Sequence, residues 1–188
     1  MAKSFPAMSK RNREMKRLDP KFESWMNAPQ TKAVMAALGG EARFVGGAVR
    51  NALLKQPVID VDIATPLLPE DVTKRLQAAK LNALPTGIEH GTVTAISGGK
   101  SFEITTLRRD VATDGRRAVV AFTTDWKEDA SRRDFTMNAL YASADGEIFD
   151  YSGGIADLEA GKVRFVGDPA TRIREDYLRI LCLFRFHA

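Results

Sequence analysis

The chain has 188 residues with hydrophobic residues at 44%, enough to bury a core and too many for a disordered chain. One Cys excludes an internal disulfide, one Cys with two His excludes a Cys/His metal cluster, and the apolar runs are too short to cross a bilayer. Lys+Arg 28 against Asp+Glu 24 leaves a net charge of +4, a mild excess that permits a polyanionic partner without requiring one.

Met1 to Arg17 is basic and rich in Ser, Asn and Met, and reads either as a loose arm touching RNA or as a frayed terminus. It has no apolar h-region, which argues against a secretory signal. Together with the lone Cys182 this suggests a reducing, cytoplasmic setting. Asp19-Pro20 predicts a helix start, and Phe22, Trp25, Met26, Val34, Met35 and Leu38 recur at roughly helical spacing, with a break or kink at Pro29 and a stop at Gly39-Gly40.

Arg43 to Thr65 follows, RFVGGAVRNALLKQPVIDVDIAT, around which the rest is organised. It predicts a strand over 42–45, a turn at Gly46-Gly47, a helix over about 48–55 and a strand over about 58–64. On that second strand Asp60 and Asp62 share a face while Val61 and Ile63 enter the core. Two carboxylates this close are either a site for Mg²⁺ or two solvated side chains on a wet face. Gly46-Gly47 with Arg50 reads either as an anion site or as a plain strand-to-helix turn.

Pro69-Glu70-Asp71 opens an amphipathic helix with Val72, Leu76 and Ala79 inside and Lys74, Arg75 and Lys80 outside. From Leu84 the period becomes that of strands: Gly91 to Ser97, a turn at Gly98-Gly99, and a returning strand Ser101 to Leu107. Glu103 on the return is either a third carboxylate of the site, binding metal or accepting a proton, or an ordinary exposed Glu. Arg108 to Asp125 reads as a long polar loop turning at Asp114-Gly115-Arg116-Arg117.

Helical character returns at Lys127, where Arg132, Arg133 and Asp134 hold phosphates or make surface salt bridges. A tight turn at Asp145-Gly146, a short helix after Gly153-Gly154 and a strand Val163 to Val166 come next. Asp168-Pro169 opens a last helical region running to the end, with Glu175, Asp176 and Arg179 at i, i+1 and i+4, so that Asp176 and Arg179 share a face and, taken alone, read as a surface ion pair. It carries no C-cap after Leu178, Leu181, Phe184 and Arg185, so a longer helical region is expected. The pattern as a whole is α/β, a mixed sheet flanked by helices.

Six stretches in order, VGGAVRN, VIDVDIAT, FEITTLRRD, SRRDFTMNALY, YSGGIADLEAGKVRFVGDP and IREDYLRIL, resemble the N-terminal part of class II CCA-adding enzymes. These group with bacterial poly(A) polymerases in the DNA polymerase beta superfamily. The resemblance covers roughly Ala42 to Ala188. It implies a basic arm and N-terminal helix over 1–40, a nucleotidyltransferase head over 41–152, and over 153–188 the start of an all-helical neck with the base-recognition helix.

The resemblance implies that Asp60 and Asp62 hold catalytic Mg²⁺, with Glu103 beside them. Gly46, Gly47, Arg50 and Arg133 would contact the nucleotide, Asp134 and Asn138 would support ribose recognition, and Arg185 would join the nucleotide site. Glu175, Asp176 and Arg179 would serve base recognition, since a carboxylate and a guanidinium complement cytosine and, after a small shift, adenine. The implied reaction is CCA addition to the tRNA 3′ end from CTP and ATP, with no membrane partner, and the Arg108–Asp125 loop helping the change from C to A. Poly(A) tailing and a non-catalytic nucleotide- or RNA-binding module are the alternatives. Asn51 stands where the family usually has Asp, and Cys182 where it usually has Arg.

Overall fold

The computed structural model describes residues 17–114 and 117–187. The strands are β1 Arg43–Val45, β2 Asp62–Thr65, β3 Asn82–Gly87, β4 Thr92–Ser97, β5 Lys100–Thr106, β6 Arg108–Asp114, β7 Arg117–Phe122, β8 Leu140–Ala142 and β9 Ile148–Asp150. The helices are α1 Ser24–Asn27, α2 Pro29–Leu38, α3 Gly47–Leu53, α4 Pro69–Ala78, α5 Trp126–Ser131, α6 Gly154–Glu159, α7 Pro169–Glu175 and α8 Leu178–His187. Seven strands form one sheet in the order β3-β4-β5-β2-β1-β8-β9, and β6-β7 form a separate ribbon. The β2–β5 pair is parallel and the other pairs are antiparallel, so the sheet is mixed, as the hairpin after a helical segment implied.

One face of the sheet presents Phe44, Ile63, Val93, Phe102 and Ile104, all buried, to Val34 and Leu38 of α2, Val49 and Leu53 of α3, and Val72 and Leu76 of α4. Alternation along β4 and β5 sends every second side chain into this core. Pro29 and Pro69 sit in the first turns of α2 and α4, where the missing N–H costs nothing. Gly39, at φ +73°, ends α2.

The other face is divided. Over β1 and β8, Val45, Ala64, Tyr141 and Leu107 pack with Ala130 of α5, and the Arg43 guanidinium lies between Trp126 (4.0 Å) and Phe149 (3.5 Å). Over β4 and β5 the same face carries half-buried Thr92, Thr94 and Thr105 and exposed Glu103. The edge between these halves is where Asp62 stands.

Several expectations need correcting. Asp19-Pro20 makes a turn, not a helix start: the Asp19 carboxylate accepts the Lys21 N–H at 3.0 Å, helix begins at Ser24, and Phe22 is 84% exposed. The strand drawn over 58–64 covers only Asp62–Thr65, because β1 opposite it has just three residues to pair. Ala79 is exposed beyond the end of α4. Asn82–Gly87, ahead of the hairpin expected from Gly91, is edge strand β3, where Pro85 is tolerated.

The segment Arg108–Asp125 is a ribbon, not a loop, with Arg108 opposite Phe122 and Asp114 opposite Arg117. Its Gly115-Arg116 turn lies outside the described residues, as do Met1 to Lys16 of the basic arm and Ala188. The helical reading after Lys127 holds only to Ser131, after which a 3₁₀ turn at Thr136–Asn138 and β8 follow. Val163 to Val166 makes one isolated bridge, Phe165 to Phe135, not a strand. The last helical region is two helices, since Asp176 is extended at φ −153° and ψ 107°.

Candidate active site

Asp62 opens β2 and registers with Glu103 of the parallel neighbour β5, so strand pairing sets the two side by side on one face. Asp60 lies two residues ahead of the strand and is exposed, while Val61 and Ile63 are buried as expected. Burial raises the Asp62 carboxyl above its ordinary range. The charges of Glu103 and Asp60 raise it further, and only Arg133 opposes them. None of the three carboxylates makes a hydrogen bond or ion pair among the described residues. A divalent cation suits this set: oxygen donors only, and repulsion that a cation would cancel. No group of three or more His, Cys, Asp or Glu converges as a metal cage among the described residues, so the remaining ligands would have to come from elsewhere.

Beyond Val45, which registers with Asp62, the chain turns at Gly46. Gly46 has φ +70° and ψ −128°, a backbone region that side chains disfavour. Two guanidiniums flank this turn. A Cβ built on Gly46 would lie 4.0 Å from Arg133 Nη1, and one built on Gly47 would lie 3.6 Å from Arg50 Nη2.

Arg50 is held by neutral partners. Its Nη1 donates to Asn138 Oδ1 at 2.5 Å, and Nε and Nη2 donate to Asn51 Oδ1 at 3.1 and 2.9 Å. Asn51 Nδ2 in turn donates to the Pro57 carbonyl at 3.0 Å, at the start of the segment carrying Asp60. Asn138 Nδ2 reaches Asp134 at 3.1 Å, and Asp134 accepts the Phe135 N–H at 2.7 Å. Burial lowers Arg50, Asp134 raises it and Arg185 lowers it further, the net being downward.

Arg133 is held by a charged partner that the sequence reading missed. Asp129 is 1% exposed and takes Arg132 on one oxygen (2.8 Å) and Arg133 on the other (3.0 Å). Tyr141 OH donates to it at 2.7 Å and accepts Arg133 Nε at 3.1 Å. Burial pushes the Asp129 carboxyl up, but Arg133, Arg132 and the Tyr141 hydroxyl outweigh it and hold it at about 2. Tyr141 is raised, first by burial. The available signal was D-x-x-R-R, which sets a carboxylate at i, i+3 and i+4 from two arginines on a helix.

The base-recognition trio is arranged differently from the single helix face expected. Asp176 follows the last residue of α7, and its carboxylate caps the start of α8, accepting the Leu178 N–H at 3.0 Å and not pairing with the Arg179 guanidinium. Glu175 takes that place, bridging Arg179 (2.8 Å) and Arg172 (2.5 Å). The same two arginines donate to the end of α5, Arg172 to Ser131 O at 3.1 Å and Arg179 to Arg132 O at 3.3 Å. Arg185 stacks on Phe186 at 4.9 Å, whose ring also faces Arg50 at 4.9 Å. Cys182 is half-buried against the main core. The structure thus places Gly46, Gly47, Arg50, Arg133, Asp134 and Asn138 in one contiguous group beside Asp62 and Glu103. Arg179, held by Glu175, adjoins it at the end of α5, while Asp176 stands between α7 and α8.

A mixed sheet with strand-borne carboxylates beside a glycine turn and paired guanidiniums is the fold and layout of a nucleotidyltransferase head. Residues 42–164 match the family described as the poly A polymerase head domain, and the chain belongs to that family. It is 46% identical over 176 residues to the mitochondrial CCA tRNA nucleotidyltransferase 1 of Mus musculus, covering 92% of this chain and 41% of that protein. It resembles the Bacillus stearothermophilus CCA-adding enzyme, crystallised in complex with CTP, at TM-score 0.74 and 38% identity, covering 90% of this chain and 39% of that one. A tRNA nucleotidyltransferase complexed with a primer tRNA and an incoming ATP analog matches at TM-score 0.62 and 33% identity, covering 77% of this chain and 40% of that one. The chain therefore spans about two fifths of the length of these relatives. No helix among the described residues is long and apolar enough to cross a membrane.

Proposed function

We propose that this chain is the catalytic head of a CCA-adding tRNA nucleotidyltransferase, which transfers CMP and AMP from CTP and ATP to the tRNA 3′ end. One observation carries the reading: Arg50 and Arg133 flank the Gly46-Gly47 turn directly beside Asp62 and Glu103, which have no protein partner among the described residues. A triphosphate fits the first group, and a cation shared with it fits the second.

Asp60 and Asp62 would hold Mg²⁺, with Glu103 beside them completing that set or taking the proton of the attacking 3′-hydroxyl. When bound, the metal supplies positive charge at the reacting phosphate. Arg50 and Arg133 orient the phosphates across the glycine turn, which fixes the α-phosphorus for displacement of pyrophosphate. Asp134 and Asn138, already bonded to each other, are assigned to ribose recognition.

Base choice is assigned to Asp176 and Arg179, with Glu175 holding Arg179 against the end of α5. The β6-β7 ribbon is the element proposed to assist the change from C to A. The neck is proposed to begin at Asp168, not Gly153, because α6 is locked onto the head: a Cβ on Gly154 would meet Thr136 O at 2.2 Å. The lone thiol favours the cytoplasm, while the mouse relative's name raises the mitochondrion.

The test supplies separately labelled CTP and ATP, with Mg²⁺, to tRNA ending before CCA. Ordered C, C, A addition is expected. ATP-only tailing would make the chain a poly(A) polymerase, and nucleotide binding without incorporation would make it a binding module.

A further inference from the structure

Asp129 is the most enclosed charged group near the site, and nothing in the reaction touches it directly. Its two oxygens are fully used. Oδ1 accepts Arg108 N (3.2 Å), Arg132 Nε (2.9 Å) and Arg132 Nη2 (2.8 Å). Oδ2 accepts Arg133 Nε (3.3 Å), Arg133 Nη2 (3.0 Å) and the Tyr141 hydroxyl (2.7 Å). A buried ionised carboxylate needs such a set of donors to be tolerated at all.

The consequence lies in which edge of Arg133 is occupied. Nε and Nη2 form one edge of the planar fork, and both are bound to Asp129. Nη1 is thereby turned to the Gly46 turn, 4.0 Å from a Cβ built there. Tyr141 holds the same edge from the side, accepting from Nε while its ring lies 5.2 Å from the guanidinium carbon. Arg132, adjacent in sequence and of like charge, is drawn to the opposite oxygen. One carboxylate so separates two neighbouring arginines and aims one of them.

We propose that Asp129, with Tyr141, is a positioning residue for nucleotide binding: it occupies one edge of Arg133 and so presents Nη1 to a phosphate at Gly46. This rests on the reading of Arg133 as a nucleotide ligand. A merely structural Asp129 would affect folding and leave the affinity of the folded protein alone. Acting through Arg133, it would have no further effect once Arg133 is gone.

The test measures CTP affinity of the whole chain in Mg²⁺ by titration, alongside thermal melting, for Asp129→Asn, Arg133→Ala and the double variant. Asn keeps the volume of Asp but places an NH₂ against one guanidinium. Asp129→Asn should weaken CTP binding about tenfold, Arg133→Ala at least as much, and the double variant no more than Arg133→Ala. A folded Asp129→Asn with unchanged affinity, or effects that multiply in the double variant, overturns the proposal. Unchanged affinity in Arg133→Ala overturns the reading of Arg133 as a ligand, and this proposal with it. Should Asp129→Asn not fold, Tyr141→Phe carries the same test with a smaller loss, again absent in the Arg133→Ala background.

Discussion

The two halves of the site are built on opposite principles. On the guanidinium side nearly every polar atom has a protein partner: Arg133 on Asp129 and Tyr141, Arg50 on Asn51 and Asn138. On the carboxylate side Asp60, Asp62 and Glu103 have no such partners among the described residues, and burial together with the charges of Glu103 and Asp60 pushes Asp62 upward. A protein can pre-organise its cations with its own anions and amides. Among the described residues Arg133 is the one charge that opposes those around Asp62, and it is itself committed to Asp129. The first half is finished by folding, and on the proposed function the second is completed by a cation that arrives with substrate.

The largest effect should come from the unfinished half. Asp62→Ala or Asp60→Ala should cut nucleotide incorporation by about a hundredfold or more while leaving the melting temperature unchanged or higher, since a mutually repelling charge is removed. Retention of most activity by either variant would break the contrast.

How much of this was legible follows from the range of each interaction. The glycine turn, the Asp-x-Asp and the Gly98-Gly99 hairpin are local patterns, visible because neighbours in sequence are neighbours in space. The β6-β7 ribbon had its signal, an Asp114-Gly115 turn before the β-rich RAVVAF, masked by the charge of Arg108, Arg109 and Asp110. The break at Asp176 was hidden because apolar spacing continues through Tyr177 and Leu178, and Asp looked like a helix-surface charge, not a cap. Asp129 was passed over because nothing local separates a buried carboxylate from a solvated one. Its partner Tyr141 sits on β8, brought there by the pairing of that strand with β1.

The finished half should show itself in acid. Asp129 titrates at about 2 when folded, against about 3.9 unfolded. A lowered carboxyl stabilises the fold above its unfolded value, and that stability is lost as pH falls through its folded value. Denaturant unfolding followed from pH 5 to pH 2 should therefore lose on the order of 2 kcal/mol from this group. In Asp129→Asn that part of the slope should vanish. An unaltered acid limb would mean the carboxylate is not held by its arginines.

Smaller effects mark the boundary between the halves and the last helices. Glu175→Ala leaves Arg172 and Arg179 as two like charges against the end of α5 and should reduce CTP-over-ATP discrimination about tenfold in competition assays. Cys182→Arg should tighten nucleotide binding by no more than a few fold. The residue lies on the α8 side that packs inward, and the new guanidinium must displace apolar contact to reach the site. Unchanged affinity would show that a cation at this position does not reach the nucleotide.

The most direct measurement of the division is CTP binding to the 188-residue chain with Mg²⁺ and with a chelator, in wild type and in the double variant Asp60→Asn, Asp62→Asn. Wild type should need the metal, because its carboxylates repel the triphosphate that its guanidiniums attract. The double variant should bind CTP nearly as well without metal as with it. Wild-type affinity unaffected by chelation, or a double variant still dependent on Mg²⁺, would contradict a site whose carboxylate half is completed by a cation.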